Sequence, residues 1–258
     1  MDFNSTLLMA IVFSFLIAFV FSMFGQGGGS VYSPLLILLG YAVLISTSTS
    51  LVLNLITSVS AGYVFYKNKM IDYRVSFMFV PGIIVGAFAG GALSKYVNTE
   101  ILLWLFVIFL ILLGGRMIYS FREKGITEQK PSNLSTNKYI LTVVFSFIVG
   151  IISGLLGVGG GILIVPFMTY VLKYPTKSAA GSSHLIISFS ALAGIIGHAS
   201  SHRMDYFLIV VTGIAVLFGG YLGARFSLKV NPARIKVGLG FLMWALSAQL
   251  LAKLLGFI

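Results

Sequence analysis

The groups in this chain best suited to chemistry are backbone N–H groups. Residues 24–34 read FGQGGGSVYSP and residues 156–166 read LGVGGGILIVP. Gly25, Gly27, Gly28, Gly29 and Pro34 recur as Gly157, Gly159, Gly160, Gly161 and Pro166, 132 positions later. Glycine has no Cβ, so a ligand or an opposing chain can come close, and positive φ is accessible. A half-helix that begins at such a run points unpaired N–H groups and the positive end of its dipole into the space before it. Two such ends brought together suit an anion. Gly27, Gly28, Gly29 and Ser30 are the candidate lining from the first run. Gly159, Gly160 and Gly161 are the candidates from the second.

Hydroxyl-rich stretches follow both runs: STSTSLVLN (46–54) and AGSSHLI (180–186). Thr49, Ser50, Ser182 and Ser183 can donate to an oxyanion, and His184 can add a proton or a positive charge. Ser and Thr in a helix also bond back to the i−4 carbonyl, which is their ordinary use. Asn54 joins the candidate site, with helix cross-linking as its alternative role. His198 and His202 approach the outer end of their segment and are expected at the interface. A serine hydrolase fits poorly, because adjacent helical residues such as Ser183 and His184 point about 100° apart. With three histidines and no buried acid, no metal site and no cofactor are expected.

All six acidic residues (Asp2, Asp72, Glu100, Glu123, Glu128, Asp205) fall in loops or at segment ends. Asp72, Asp205, Asn98 and Asn231 are expected to cap helices, with Pro232 at a first-turn position. Cation pumps depend on intramembrane carboxylates, so a cationic substrate is not expected, nor is carboxylate-based proton coupling.

The elements that must position these groups lie in lipid. Of 258 residues 58% are apolar and 9% charged, against about 25% charged in a soluble domain. The first apolar stretch has no basic region before it and no cleavage site, so it is expected to be retained. No cysteine is present, which removes disulfides and thiolate metal sites. The net charge of +11 is assigned to loops facing anionic lipid. Nucleic acid is not an expected partner, because no basic run is interleaved with aromatic residues.

Five apolar segments (about 5–24, 30–40, 42–66, 75–94 and 101–119) precede the polar stretch 120–138, and five follow it (about 139–156, 162–172, 175–199, 206–225 and 233–256). Beyond the glycine runs the two halves align at an offset of 133. Ser50 matches Ser183, Asp72 matches Asp205, Gly86 and Gly90 match Gly219 and Gly223, and Ser94, Val97 and Asn98 match Ser227, Val230 and Asn231. An ordered series of this length marks an internal duplication. With the linker inside, five crossings per half put 14 Lys and Arg inside and 3 outside; without segments 2 and 7 the split is 10 to 7. The positive-inside rule favours the odd number, which inverts the second repeat and puts both termini outside.

Segments 2 and 7 have about 11 residues each, roughly 16 Å of helix and half the ~30 Å hydrocarbon core. Segment 1 is therefore expected to stop short in a re-entrant hairpin, or the glycine loop to climb back into the membrane. The expected fold class is an all-α polytopic membrane protein of two inverted five-segment repeats. Residues 1–119 form the first repeat, 120–138 a cytoplasmic linker and 139–258 the second repeat. Glycines inside regular segments (Gly86, Gly90, Gly91, Gly219, Gly220, Gly223) are expected to serve helix packing. Neither glycine run is a nucleotide motif: position 30 is Ser, position 162 is Ile, and no Gly-Lys-Ser/Thr follows.

The duplicated GQGGGSVYSP and GVGGGILIVP, each followed by hydroxyl residues, resemble the TauE/SafE sulfite-exporter-like transporter family over nearly the whole chain. The resemblance implies a plasma-membrane permease of prokaryotic type for sulfite, organosulfonates or related organic anions, without fixing direction. The family's motif carries over to Gly25, Gly27, Gly28, Gly29, Pro34, Gly157, Gly159, Gly160, Gly161 and Pro166. Its Thr-Ser pair maps onto Thr49-Ser50 and, less faithfully, onto Ser182-Ser183, where His184 can alter coupling or substrate choice. The implied partners are a small anion and the bilayer; a coupling proton or ion and a homodimer stay open. The alternatives are an anion channel of the same architecture and, further off, the hydrolase.

Overall fold

A computed structural model describes residues 3–119, 135–199, 204–229 and 233–255. The linker from 120 to 134, His202, and the Asn231–Pro232 cap lie outside the described residues. The helices are α1 (Phe3–Ser22), α2 (Gly29–Leu38), α3 (Val43–Lys67), α4 (Tyr73–Leu93), α5 (Thr99–Tyr119), α6 (Thr136–Leu156), α7 (Gly161–Pro166), α8 (Thr176–His198), α9 (Tyr206–Ser227) and α10 (Ala233–Leu254). A 3₁₀ turn at Ser94–Tyr96 follows α4, and a π-turn at Phe167–Val171 continues α7. The described residues contain no strand. Thr136, Asn137 and Lys138, expected in the linker, are already the first turn of α6.

Local chemistry sets the helix ends. The Asp72 carboxylate accepts from the N–H groups of Arg74 (3.1 Å) and Val75 (3.4 Å), and Asp205 accepts from Leu208 N–H at 2.9 Å. Asn98 Oδ1 accepts from Glu100 N–H at 3.1 Å. All three are N-caps that satisfy otherwise free donors. Pro166 has no N–H to donate to the Ile162 carbonyl, and the chain widens there into the π-turn.

A cluster of polar side chains is buried inside, and many large apolar side chains face outward. Val85, Phe88, Leu112, Ile140, Val210 and Phe218 are exposed, whereas Ser46 to Ser50, Asn54, Ser182, Ser183 and His184 are fully buried. Such a surface needs a lipid solvent. Five helices are long and apolar enough to cross a membrane: α3, α4 with its 3₁₀ extension, α6, α8 and α9. Shorter apolar helices accompany them, among them Thr6–Ser22 of α1, Gly29–Leu38 (α2) and Gly161–Val171, which is α7 with its π-turn.

At the centre α3 touches α8, with α2 packed on α3 and α7 on α8. Helix α4 packs on α6 and α8, α9 packs on α1 and α3, and α5 pairs with α10. Exchanging the two halves carries this set of contacts onto itself. The mid-helix glycines serve packing as expected. A Cβ on Gly86 would run into the Phe147 carbonyl, one on Gly91 would lie 2.7 Å from Gly194 O, and one on Gly220 3.0 Å from Thr57 O. On Gly219 it would lie 2.6 Å from Phe15 O, and on Gly90 and Gly223 it would run into the carbonyls of Ile151 and Phe19. Only small residues let these backbones approach.

Candidate functional site

Both glycine loops end in a left-handed residue immediately before a short helix: Gly28 (φ 114°) before α2 and Gly160 (φ 76°) before α7. Gly25, Gly27, Gly157 and Gly159 also hold positive φ, between 69° and 77°. Any L side chain at these six positions strains the backbone.

The loops are braced by side chains from the central helices. Ser50 Oγ on α3 lies 2.7 Å from Gly157 O and 3.2 Å from Gly29 O, so its single proton serves one loop or the other. One turn on, Asn54 Nδ2 donates to Val158 O at 3.1 Å. From α8, the Ser183 hydroxyl reaches Gly25 O, and His184 Nε2 donates to Ser22 O at 3.1 Å. Ser33 Oγ on α2 donates across to Leu156 O at 3.0 Å. Helix α3 of the first half thus holds the loop of the second, and α8 of the second half holds the loop of the first.

Asn54 sits where the loops meet. A Cβ on Gly27 or Gly159 would collide with its amide, and one on Gly29 would lie 2.7 Å from its Nδ2 and 2.5 Å from Val158 O. A Cβ on Gly161 would lie 2.9 Å from Gln26 O. The structure therefore brings Gly27, Gly29, Ser50, Asn54, Gly159 and Gly161 together. Gly28 and Gly160 face their own surroundings instead: a Cβ there would meet the Tyr32 ring at 2.8 Å and Val149 Cγ1 at 2.7 Å. Ser182 stands apart from the loops, its Oγ accepting from Asp72 N–H at 2.8 Å at the α3–α4 turn.

On the loops and helices α2, α3 and α8 that meet here, several buried polar atoms have no partner among the described residues. The N–H groups of Gly27, Gly29 and Ser30, and of Gly159, Gly160, Gly161 and Ile162, have no acceptor among the described residues. Ser30 Oγ, Thr49 Oγ1, Ser58 Oγ, Gln26 Oε1, Asn54 Oδ1 and His184 Nδ1 are buried without a hydrogen-bond partner. Most buried polar atoms in proteins are paired, so these orphans are donors and acceptors left for water or a ligand. Among the described residues no carboxylate, lysine or arginine is buried. The polar groups that the loops and the central helices offer are dipoles, hydroxyls, amides and, on α8, one imidazole. With Nε2–H given to Ser22 O, His184 presents the lone pair of Nδ1.

Sequence reasoning missed Gln26, Tyr32 and Ser58. Gln26 was the one polar side chain inside the first glycine run, and that was its signal. Tyr32 OH shares a 2.9 Å hydrogen bond with Thr57 Oγ1 between α2 and α3, and nothing local announces it. His198, expected at the interface, is buried (1% exposed). Its Nδ1 donates to Gly194 O, and its Nε2 lies 3.0 Å from Ser94 Oγ across the α4–α8 seam. The Gly194 carbonyl stands behind the imidazole, so the Ser–His contact is a helix cross-link.

A family model described as "Sulfite exporter TauE/SafE" matches residues 10–250. The chain is 26% identical to the probable membrane transporter protein YunE of Bacillus subtilis, over 89% of this chain and 92% of that one. It is 27% identical to YdhB of the same organism, likewise a probable membrane transporter protein, over 95% of this chain and 99% of the relative. A probable membrane transporter protein of Methanocaldococcus jannaschii shares 26% identity over 94% of each chain. No solved structure matches. The lipid-facing helices, the paired glycine loops and a family match spanning nearly all of the sequence converge: the chain belongs to the sulfite exporter TauE/SafE family of membrane transporters.

Proposed function

We propose that the protein is a secondary permease for small anions such as sulfite, organosulfonates or related organic anions, in the plasma membrane, and that the substrate binds where the two glycine loops cross. The observation that carries this reading is the set of buried N–H groups without acceptors at the starts of α2 and of the α7–π-turn helix. A desolvated anion can accept from several such donors at once, each bond to a charged group being worth about 1.5–3 kcal/mol. The free hydroxyls of Ser30 and Thr49 add donors. The Nδ1 lone pair of His184 is the place where a coupling proton would be held.

The access cycle follows from the duplication. Two inverted five-segment repeats, with the 120–138 linker inside and both termini outside, would rock against each other about the α3–α8 contact. With Gln26 only 5% exposed and Ser30 1%, the conformation described is closed at the loops. Each side must open in turn to load or release the anion.

The test is transport by purified protein in liposomes, with sulfite, sulfoacetate, small carboxylates and organic cations as the panel. Saturable anion uptake, driven against the anion's own gradient by a second ion, is expected. Uptake that only dissipates the anion's gradient would establish a channel instead. Transport of organic cations with no anion moved would overturn the reading.

A further inference from the structure

A second site for a charged ligand lies away from the glycine loops, at the C-terminal ends of α3 and α9. A cavity of about 420 Å³ is lined there by residues that include Tyr63, Lys67, Tyr221, Arg225, Leu228 and Lys229. The cations are held in place. Lys67 Nζ sits over the Tyr63 ring, 4.7 Å from its centroid, and the Arg225 guanidinium over the Tyr221 ring at 5.6 Å. Lys177 Nζ adds a fourth positive charge, donating to Leu228 O at 3.4 Å. No carboxylate of the described residues pairs with any of the four.

The duplicated fold does not require this arrangement. In the other half the positions equivalent to Lys67, Arg225 and Lys229 are Ser200, Ala92 and Tyr96. There the α4–α8 seam is closed by His198 against Ser94. A general excess of cytoplasmic Lys and Arg explains cations scattered over loops; it does not explain three converging on one cavity. Tyr63 of the lining and Tyr66 one turn on along α3 are both about half exposed (48% and 59%), and Val64 and Leu228 give the cavity an apolar wall. Tyrosines at this level are headgroup anchors.

We propose that this cavity binds the phosphate-bearing headgroup of an anionic membrane lipid, with Lys67, Arg225 and Lys229 around the phosphate and the acyl chains lying along α3 and α9. It is a lipid site on the face that carries most of the positive charge, separate from the substrate path, and it ties the α3–α9 pair to the bilayer.

The experiment measures lipid binding to the detergent-purified full-length protein by native mass spectrometry, with melting temperature as a second readout. The probes are phosphatidylglycerol, phosphatidylcholine and inorganic phosphate. Wild type should bind phosphatidylglycerol at least about tenfold more tightly than phosphatidylcholine. At about 1 kcal/mol per surface cation, each of Lys67→Gln and Lys229→Gln should weaken phosphatidylglycerol by about fivefold. The triple variant with Arg225→Gln should lose the preference, and Lys95→Gln, on the other face, should keep it. The two single variants replace exposed side chains and carry the test if the triple variant does not fold. Equal binding of the two lipids, or a preference unchanged in both single variants, overturns the proposal. Inorganic phosphate binding as tightly as phosphatidylglycerol also overturns it, by assigning the cavity to a soluble anion.

Discussion

Ser50 and Ser183, 133 positions apart, do the same work in opposite directions: Ser50 Oγ binds the Gly157 carbonyl at 2.7 Å, and the Ser183 hydroxyl binds the carbonyl of Gly25. Gly25 and Gly157 are themselves repeat equivalents. Each half of the protein thus fastens the glycine loop of the other. Asn54 breaks the equivalence, because its counterpart is Ile187. The amide donates to the second loop at Val158, with no matching bond in return. The two halves share a scaffold and differ in the chemistry at its crossing.

Removing either brace should loosen a loop rather than delete a ligand contact. Ser50→Ala and Ser183→Ala each leave a buried carbonyl unpaired, which costs about 1–3 kcal/mol. Both variants should melt lower and transport with a raised KM. Unchanged melting in both would remove the bracing role.

The orphaned hydroxyls give the opposite signature. Ser30 Oγ and Thr49 Oγ1 make no hydrogen bond among the described residues, so Ser30→Ala and the isosteric Thr49→Val should leave the melting temperature unchanged or raised. Losing a hydroxyl that donates to a bound anion should weaken affinity roughly 10- to 150-fold. Anion titration of the folded variants reads this directly, and unchanged affinity in both would take them out of the site. These tests are cleaner than Gly28→Val or Gly160→Val. There the positive φ and the contacts with Tyr32 and Val149 compromise folding before any ligand is added.

Asn54 and Gly159 are coupled by contact. A methyl at Gly159 runs into the Asn54 amide, so Gly159→Ala should yield little folded protein. Adding Asn54→Ala should restore part of the yield, with the φ strain of about 1–3 kcal/mol still present. The same second change should not help Gly160→Ala, whose neighbour is Val149. Equal rescue of both, read as monodisperse yield, would mean that the amide does not set the spacing.

His198→Ala tests a cross-link outside the site. It removes the contacts with Ser94 and Gly194 and should lower stability by about 1–2 kcal/mol with the KM for the anion unchanged. A selective change in KM with normal melting would place His198 on the transport path.

Topology is open to direct measurement. Reporter fusions in the 67–74 loop and the central linker should read as cytoplasmic, and fusions at the two termini as external, following the 14 to 3 division of Lys and Arg. A linker and a C-terminus on the same side would dismantle the five-plus-five inverted arrangement.

The sequence by itself determined the elements. Hydropathy, the caps at Asp72, Asp205 and Asn98, and the glycine runs before α2 and α7 act within a few residues of where they stand. For that reason helix positions were legible without coordinates, and the mid-helix glycines declared their packing role by regular spacing. Tertiary structure alone decided which partner each polar group found. Ser50 reaches a carbonyl 107 residues away, and His184 one 162 residues away. Ser182, adjacent to both Ser183 and His184 in sequence, is turned toward Asp72 instead. His198 read as interfacial because its segment was ending there, yet the glycine-lined approach of α4 buries it. Lys67, Arg225 and Lys229 were counted only as charges on one side of a membrane until α3 and α9 packed together. Helix formation is settled by local hydrogen bonds and side-chain spacing. Partners 100 or more residues apart meet only through the packing of whole helices, which no short stretch of sequence encodes.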